Sequence, residues 1–336
     1  MRSEPADSGL APAPAGLARG GSAGAGGSVT PLWKRALPFV LAAGLLAFVL
    51  ARADLGAVRA SLLRVNAPAF VAFAALFVLG LLSADCFATL VVYRPVIGRI
   101  RYRDLFVVRG ASYLPSILNH HVGQAFVTVF LSRSHSVPLA RVAGGTLVVY
   151  ASWTACLLVL GGAAVIATGL PAAWLLVPIG AGVVYLIVLA VRPAKLARLA
   201  LLRPLFEAGV RGHLIAAAAR VPHAAVLFAG TWLSFRFFGV EVPVGAALSY
   251  VPILMVVVTL PITPQGFGTR DVLAVTFLLP FALGATDEER RAVIVAATAS
   301  WGTVLTLVEA ALGLLLLRRA TKLLDAPSPE TEQPSS

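Results

Sequence analysis

About six stretches of the sequence are almost entirely apolar over roughly 20 residues each, the length of an α-helix that crosses a membrane. Such a helix satisfies its own backbone hydrogen bonds, which hydrocarbon cannot do for it. The stretches are 33–51, 68–93, 141–167, 171–191, 213–239 and 291–317. They predict an all-α, polytopic helical membrane protein.

The composition agrees with a membrane location. Charged residues make up 12% of the 336 residues, about half of the roughly 25% typical of a soluble domain. The net charge of +12 would suggest nucleic acid in a soluble protein. Here the Lys and Arg residues cluster at the ends of apolar segments, where they set topology and contact anionic lipids, so we expect no nucleic-acid partner. Cys86 and Cys156 lie within apolar segments and are expected to pack there without forming a disulfide or a zinc site.

The two ends of the chain differ from the rest. Residues 1–30 are rich in Gly, Ala, Pro and Ser, and residues 323–336 are polar, so both are predicted to be disordered tails. Residues 31–322 are predicted to form one integral membrane domain. We expect no secretory signal, because the first apolar run starts far from the N-terminus and no small-residue cleavage site follows it.

Two further apolar regions, 105–133 and 244–284, are interrupted by residues that do not suit a membrane helix. Each contains Leu-Pro followed by a small polar loop, LPSILNHHVGQ in the first and LPITPQGFGT in the second. Proline removes a backbone donor, so helix breaks are predicted at Pro115, Pro261 and Pro264. Both regions are predicted to be re-entrant or broken-helix hairpins, which brings the total to about eight membrane segments.

The basic residues predict the direction of each span. Lys34 and Arg35 precede the first span, which places the N-terminus in the cytoplasm. If 105–133 enters and leaves on one side, the basic loop at 192–211 and the basic end of the last span are also cytoplasmic. The second hairpin then enters from the outside, and the two hairpins form an inverted repeat. Interrupted segments in inverted halves indicate the midplane site of a transporter in the cytoplasmic (inner) membrane, here with both termini cytoplasmic.

The break in the second hairpin is the first predicted binding site. Irregular backbone at membrane depth must face protein or trapped water. Thr269 is predicted to cap the next helix, and a helix N-terminus beside Arg270 suits a phosphate group. The predicted substrate-binding residues are Gln265, Gly266, Gly268, Thr269, Arg270 and Asp271. The alternative is a glycine-rich turn in which Arg270 and Asp271 only neutralise their neighbours.

The first hairpin carries a polar cluster of four residues: Asn119, His120, His121 and Gln124. Adjacent histidines point about 100° apart on a helix and no carboxylate stands at i+3 or i+4, so we expect no metal site. Polar groups within a membrane are expensive and usually functional, so the cluster is predicted to line a cavity opposite Arg270. The alternative is hydrogen bonding between helices without a ligand.

Three acidic features remain. Asp85 and Glu309 lie within predicted spans, where each either snorkels to the interface, pairs with an intramembrane Arg, or titrates in a coupled cycle. Thr286 and Glu289 match a capping box, so the acidic run at 286–289 is predicted to open the last helix. Arg109 is grouped with the cytoplasmic basic residues that follow the second span.

Catalytic motifs are missing from the sequence. We find no HExxH, GxxxxGKS/T or GxGxxG pattern, and no pair of loop carboxylates suited to a divalent cation. We therefore expect no enzymatic activity, no cofactor and no bound metal.

At LPITPQGFGTRDVLAVTFLL the chain resembles the membrane domain of the lysylphosphatidylglycerol synthase family, which carries a Leu-Pro, a glycine-rich turn and an acidic residue opening the next helix. The matching positions are Pro261, Pro264, Gly266, Gly268 and Asp271. The first hairpin resembles that family's Leu-Pro and Gly-Glu pattern, with Gln124 in place of the acid and Val127 in place of an expected Arg. The resemblance covers roughly residues 33–320.

The resemblance implies a flippase-like domain that moves lipids or glycolipids between leaflets. The sequence carries no soluble aminoacyltransferase domain, so we expect a stand-alone member rather than a lipid aminoacylating enzyme. The expected ligand is a membrane lipid with an anionic headgroup, bound between the two helix breaks, with transport downhill or ion-coupled. Two alternatives are a non-catalytic scaffold that partners an envelope lipid or glycan synthase, and a membrane enzyme acting on a lipid-linked substrate.

Reporter fusions test the predicted topology. A reporter fused after Arg203 is expected to lie in the cytoplasm, because the first hairpin returns the chain to the side from which it entered. A matched fusion near residue 239 is expected to lie outside. An external reporter at Arg203 would contradict the hairpin at 105–133 and the inverted arrangement with it.

Overall fold

All regular elements in the described part of the chain are helices, as the sequence predicts. The computed structural model describes residues 63–117, 119–169, 171–259 and 269–325. The predicted span at 33–51, the N-terminal tail and most of the C-terminal tail lie outside these residues. So do Pro261, Pro264, Gln265, Gly266 and Gly268.

The described α-helices are named in chain order. They are α1 (Ala67–Ile97), α2 (Tyr102–Ala111), α3 (Tyr113–Ser116), α4 (His120–Ser134), α5 (Leu139–Ala167), α6 (Leu176–Val191), α7 (Ala194–Ala197), α8 (Arg203–Arg236), α9 (Val244–Thr259), α10 (Thr269–Leu278) and α11 (Asp287–Asp325). Two 3₁₀ turns, Ala172–Leu175 and Leu279–Phe281, precede α6 and follow α10.

Within the described residues, 5 helices are long and apolar enough to cross a membrane. They are α1, α5, α6 with its preceding turn, α8 and α11, and they coincide with the predicted spans other than 33–51. Only 6% of the apolar window in 172–191 is buried within the protein, so this helix exposes almost its whole surface, as a lipid-facing helix does.

The ends of α1 show why this helix forms where it does. The side chain of Asn66 accepts a hydrogen bond from Ala69 N at 3.1 Å and caps the first turn. Gly98 ends the helix with a φ of 84°, a conformation that favours glycine. The 31 residues between them form a helix about 46 Å long, which is longer than a bilayer core.

The first hairpin is built from helices too short to span. With 10 and 15 residues, α2 and α4 are about 15 Å and 22 Å long. Pro115 has no N–H to donate to the carbonyl of Ala111, so α2 cannot continue through α3. A Cβ at Gly123 would overlap Ser116 Oγ, so glycine lets α4 pack directly against α3.

The two ends of the first hairpin lie together. Arg141 Nε, at the start of α5, donates to the carbonyl of Val96, at the end of α1, at 3.0 Å. The chain between them, which contains α2, α3 and α4, therefore leaves and returns at one end of the bundle. This confirms the predicted hairpin geometry for the region around 105–133.

The second interrupted region also closes on itself. Val240 and Ala282 form an antiparallel bridge, and Glu241 N donates to Phe281 O at 2.9 Å. The chain between these contacts holds α9 and α10, of 16 and 10 residues, each shorter than a bilayer core. It too is a hairpin. Thr269 is the first residue of α10 rather than the cap before it, which is a boundary shift of one residue.

The hairpins enter from opposite ends of the bundle. Arg141 at the start of α5 pairs with Glu207 at the start of α8, at 3.2 Å, so the first hairpin and the start of α8 share one end. The second hairpin begins just beyond the other end of α8. The described residues thus have the inverted arrangement that the interrupted segments predict.

Each hairpin belongs to its own hydrophobic cluster. The first cluster contains buried residues of α1 to α5, Ala216 of α8 and residues of α11 from Trp301 onward. The second contains Phe235 at the end of α8, residues of α9 and α10, and Ile294 near the start of α11. Because α11 contributes to both clusters, it links the two hairpins.

Three local predictions can be compared with this fold. Thr286 and Glu289 form the predicted capping box, because Glu289 N donates to Thr286 Oγ1 at 3.2 Å and the carboxylate of Glu289 accepts from the N–H of Ala285 at 2.7 Å. Cys86 and Cys156 are free and buried, as predicted. The span predicted from 213 is extended back to Arg203 in α8, with non-helical backbone at Gly209, where φ is 58°.

Close packing of α8 against α1 predicts the effect of a glycine substitution. A Cβ at Gly230 would overlap the ring of Phe77, which is itself buried. Gly230→Ala is therefore expected to lower the free energy of unfolding by about 1–3 kcal/mol. The matched control is Gly180→Ala in α6, where an added Cβ has nothing within 4 Å and only raises helix propensity. Equal melting temperatures for the two variants in detergent would contradict this packing.

Candidate functional site

A buried group of three charged side chains lies where α1, α2 and α8 meet. Asp85 of α1 accepts a hydrogen bond at Oδ2 from Arg109 Nε of α2, at 2.5 Å. Its other oxygen, Oδ1, accepts from Arg220 Nη1 of α8. The exposed fractions of Asp85, Arg109 and Arg220 are 6%, 5% and 2%. We call these three residues the ion centre.

Hydroxyl groups hold the two arginines from the sides. Arg109 Nη1 donates to Ser112 Oγ at 2.9 Å, and that hydroxyl donates to the carbonyl of Arg109 at 2.6 Å. Arg220 Nη2 donates to Thr89 Oγ1 at a longer distance of 3.3 Å. Arg220 Nε is buried and has no hydrogen-bond partner within the described residues.

A histidine completes this region. His223, one turn after Arg220 on α8, places Nδ1 4.0 Å from Asp85 Oδ1. Its ring packs edge-on against Trp153 of α5, with ring centroids 5.3 Å apart. This contact fixes the imidazole beside the carboxylate.

The ion centre carries an excess of positive charge, because one carboxylate faces two guanidinium groups. Moving an ion out of water costs several kcal/mol even after the protein relaxes, so an uncompensated buried charge is expensive. A second carboxylate, Glu309 of α11, interacts electrostatically with Tyr113, which in turn interacts with Arg109. Within the three residues of the ion centre, two guanidinium groups therefore share one carboxylate.

The structure resolves how Asp85 is used and corrects the expectation for Arg109. Asp85 does not snorkel to the interface; it pairs with arginines within the membrane region, the second of the readings that its sequence position allows. Arg109 was predicted to join the cytoplasmic basic residues and is instead buried. The reason is that α2 turns back into the bundle and brings this side chain to the carboxylate of α1.

The polar cluster of the first hairpin divides into two parts. Gln124 is buried, and its Nε2 donates to Tyr93 OH at 3.3 Å. Tyr93 OH and Thr128 Oγ1 each share a hydrogen bond with Thr146 Oγ1, at 2.7 Å and 2.8 Å. This string of hydrogen bonds joins α1, α4 and α5. The geometry matches the interhelical alternative for Gln124, and a ligand role for it stays a prediction.

The other members of the cluster lie at the surface of the protein. Asn119 caps α4 by accepting from His121 N at 2.7 Å. His121 Nδ1 shares a hydrogen bond with Tyr150 OH at 2.8 Å, and both histidines are exposed. His120 is the first residue of α4, and its ring centroid lies 5.9 Å from that of His121.

The predicted phosphate cradle is described only in part. Arg270 is buried, and its Nη2 donates to the carbonyl of Thr298 on α11 at 2.7 Å, which ties α10 to α11. Asp271 lies in the first turn of α10 as predicted. The structure brings Arg109 together with Asp85 and with the first hairpin, whereas Arg270 lies in the second hairpin against α11. A phosphate role for Arg270 stays a prediction.

Sequence analysis missed Arg220 and His223. The signal was available, because Arg220 and His223 lie inside the apolar run at 213–239 and are spaced at i and i+3, on one face of a helix. An ionisable residue within a membrane span indicates a functional site by default.

The profile of the lysylphosphatidylglycerol synthase TM region family matches residues 35–308. The chain belongs to this family. The match confirms the resemblance inferred from the second hairpin, and it includes both hairpins and all of the ion centre. No curated protein and no solved structure matches the chain.

The two arginines of the ion centre present hydrogen-bond donors and no acceptors. Among the described residues, no group of three or more His, Cys, Asp or Glu is placed to hold a metal ion. Two guanidinium groups can each donate two parallel hydrogen bonds to a phosphate or carboxylate.

Removing the carboxylate of the ion centre tests its energetic weight. Asp85→Asn keeps the side-chain shape but leaves two buried guanidinium groups without their counter-ion. We expect the free energy of unfolding in zwitterionic detergent to fall by about 3–5 kcal/mol. The matched control is Asp287→Asn, whose side chain is 70% exposed and pairs with Arg290 at 3.6 Å. Its expected loss is about 0–1 kcal/mol, and equal losses would contradict a buried ion pair.

Proposed function

We propose that the chain is a flippase-like protein that moves lipids with anionic headgroups between the leaflets of the cytoplasmic membrane, with both termini in the cytoplasm. The observation that carries the proposal is the ion centre, which places an excess positive charge among membrane-spanning helices. Membership of the lysylphosphatidylglycerol synthase TM region family supports the same function.

Charged side chains within a membrane raise the free energy of the protein. A charged side chain at the centre of a membrane helix costs at least about 2.5–3.5 kcal/mol, so such residues persist where they pair or serve a function. The single negative charge of Asp85 balances the positive charge of one arginine. In the proposed function, an anionic headgroup that passes through the membrane balances the charge of the other arginine.

The hairpins supply the path. Irregular backbone at membrane depth is tolerated where it is enclosed by protein or lines a polar cavity. The break between α3 and α4 is followed by His120 and His121, both of which are exposed. We propose that a headgroup passes along this break, and that the residues around Arg270 receive it from the opposite hairpin after Arg270 releases the carbonyl of Thr298.

The proposed transporter is not an enzyme and uses no cofactor. No ATP-binding motif occurs in the sequence, so transport is proposed to be downhill or coupled to an ion gradient. Its partners are then membrane lipids, and a synthase of envelope lipids is a candidate neighbour that produces or consumes them.

One observation favours a second candidate, a scaffold that handles no lipid. A network of hydrogen bonds joins the polar side chains of Gln124, Tyr93, Thr128 and Thr146. Such a network is expected where polar residues only hold helices together. Against the scaffold stands the ion centre, where positive charge exceeds negative charge and Arg220 Nε has no acceptor among the described residues.

Lipid exchange in liposomes tests the proposal. The purified protein is reconstituted into phosphatidylcholine vesicles containing fluorescent phosphatidylglycerol in both leaflets, and an impermeant quencher added outside reveals lipid that reaches the outer leaflet. Wild-type protein is expected to expose the inner pool of phosphatidylglycerol faster than protein-free vesicles do. Arg220→Gln is expected to slow this exchange at least about tenfold, the effect of losing a charged hydrogen bond.

The matched control is Arg236→Gln, which removes an exposed arginine from the same helix. Its exchange rate is expected to equal that of the wild type. Exchange at the protein-free rate for phosphatidylglycerol and for a polyprenyl phosphate, with folded wild-type protein in the vesicles, would refute the transport function and favour the scaffold.

A further inference from the structure

We infer that Asp85 is an internal stand-in for the headgroup: its carboxylate occupies Arg220 in the ligand-free protein, and a lipid phosphodiester replaces it there. This inference rests on the proposed function and specifies the ligand class and its competitor at the same site.

The carboxylate is placed as a bound phosphodiester would be. Oδ2 of Asp85 accepts from Arg109 and Oδ1 accepts from Arg220, so each oxygen faces one guanidinium. A phosphodiester also presents two unesterified oxygens that share one negative charge. The two groups therefore compete for the same donors.

Both arginines contact Asp85, and they differ in their other hydrogen bonds. Arg109 binds Asp85 at 2.5 Å and is fixed by Ser112, which accepts from its guanidinium and donates to its backbone carbonyl. Arg220 has a side contact of 3.3 Å to Thr89, and its Nε has no hydrogen-bond partner in the described part of the chain. Arg220 is thus the arginine with donor capacity left for a ligand.

Charge balance leads to the same assignment. In the ligand-free centre one carboxylate is shared by two guanidinium groups. After the exchange, Asp85 and Arg109 form one neutral pair, and Arg220 and the phosphodiester form another. A bidentate contact through Nε and one Nη of Arg220 uses the donor that is idle in the ligand-free protein.

The balance also selects the ligand class. A phosphodiester headgroup such as that of phosphatidylglycerol carries one negative charge, the same charge as the carboxylate that it replaces on Arg220. A phosphomonoester carries about 1.5 to 2 negative charges at neutral pH and would leave the buried site negative. We therefore expect phosphodiester lipids to bind more tightly than polyprenyl phosphate or inorganic phosphate.

Ligand-induced stabilisation of Asp85→Asn measures the competition. A ligand that binds only the folded state stabilises it by RT ln(1 + [L]/Kd), so the dependence of the melting temperature on ligand concentration reports the affinity. Full-length wild type and Asp85→Asn are titrated with phosphatidylglycerol in phosphatidylcholine micelles, and melting is followed by intrinsic fluorescence. With the internal competitor removed, the apparent affinity for phosphatidylglycerol is expected to rise at least about tenfold.

Three comparisons define the site and the ligand. Arg220→Gln, which keeps the Asp85–Arg109 pair, is expected to lose most of the stabilisation by phosphatidylglycerol. Arg236→Gln is expected to respond as the wild type does. Inorganic phosphate and polyprenyl phosphate are expected to stabilise Asp85→Asn less than phosphatidylglycerol, whereas equal stabilisation by inorganic phosphate would overturn the assignment to a lipid phosphodiester.

The outcomes separate this inference from the proposed function. Exchange by the wild type together with an unchanged affinity of Asp85→Asn overturns the stand-in role of Asp85 and leaves transport standing. The expected rise in affinity without lipid exchange supports the stand-in role and refutes transport. If Asp85→Asn does not fold, Arg220→Gln decides, because undiminished stabilisation of that variant by phosphatidylglycerol overturns the inference.

Discussion

The contact between Asp85 and two arginines is the interaction on which the described arrangement of helices depends. Hydrocarbon cannot solvate these charges, so α1, α2 and α8 must place their charged residues at one depth and face them toward one point. This requirement gives a reason for the first hairpin. Helix α2 is too short to cross the membrane, yet it must carry Arg109 to the carboxylate in the middle of α1.

The two hairpins are alike in path and different in chemistry. Both leave and return at one end of the bundle, at the Val96–Arg141 contact and at the Val240–Ala282 bridge. The first delivers an arginine to a buried carboxylate with positive charge in excess. The second uses Arg270 to bind a carbonyl of α11. The two hairpins of the inverted arrangement therefore place their buried arginines in unlike polar surroundings.

Much of the fold was predictable because it follows from local signals. Apolar length identified the described spans, Pro115 marked the interruption between α2 and α4, and the Thr286–Glu289 box identified the start of α11. Pro261 and Pro264 lie outside the described residues. The candidate site was less predictable. In the sequence, Arg109 resembles its basic neighbours in the loop. Arg220 and His223 lie within an apolar segment, and nothing near Gln124 indicates that its partner is Tyr93. These partners lie on different helices, so their pairing depends on contacts distant in sequence.

The sequence by itself determined the class of protein, the family, the membrane-spanning helices and the two points where a helix must break. These properties depend on the length of apolar runs and on backbone chemistry, both of which act within one segment. Only the tertiary structure decided which buried charges meet and that Asp85 serves two arginines. Charge pairing in a membrane is set by the depth and rotation of separate helices, and those are fixed when the helices pack together.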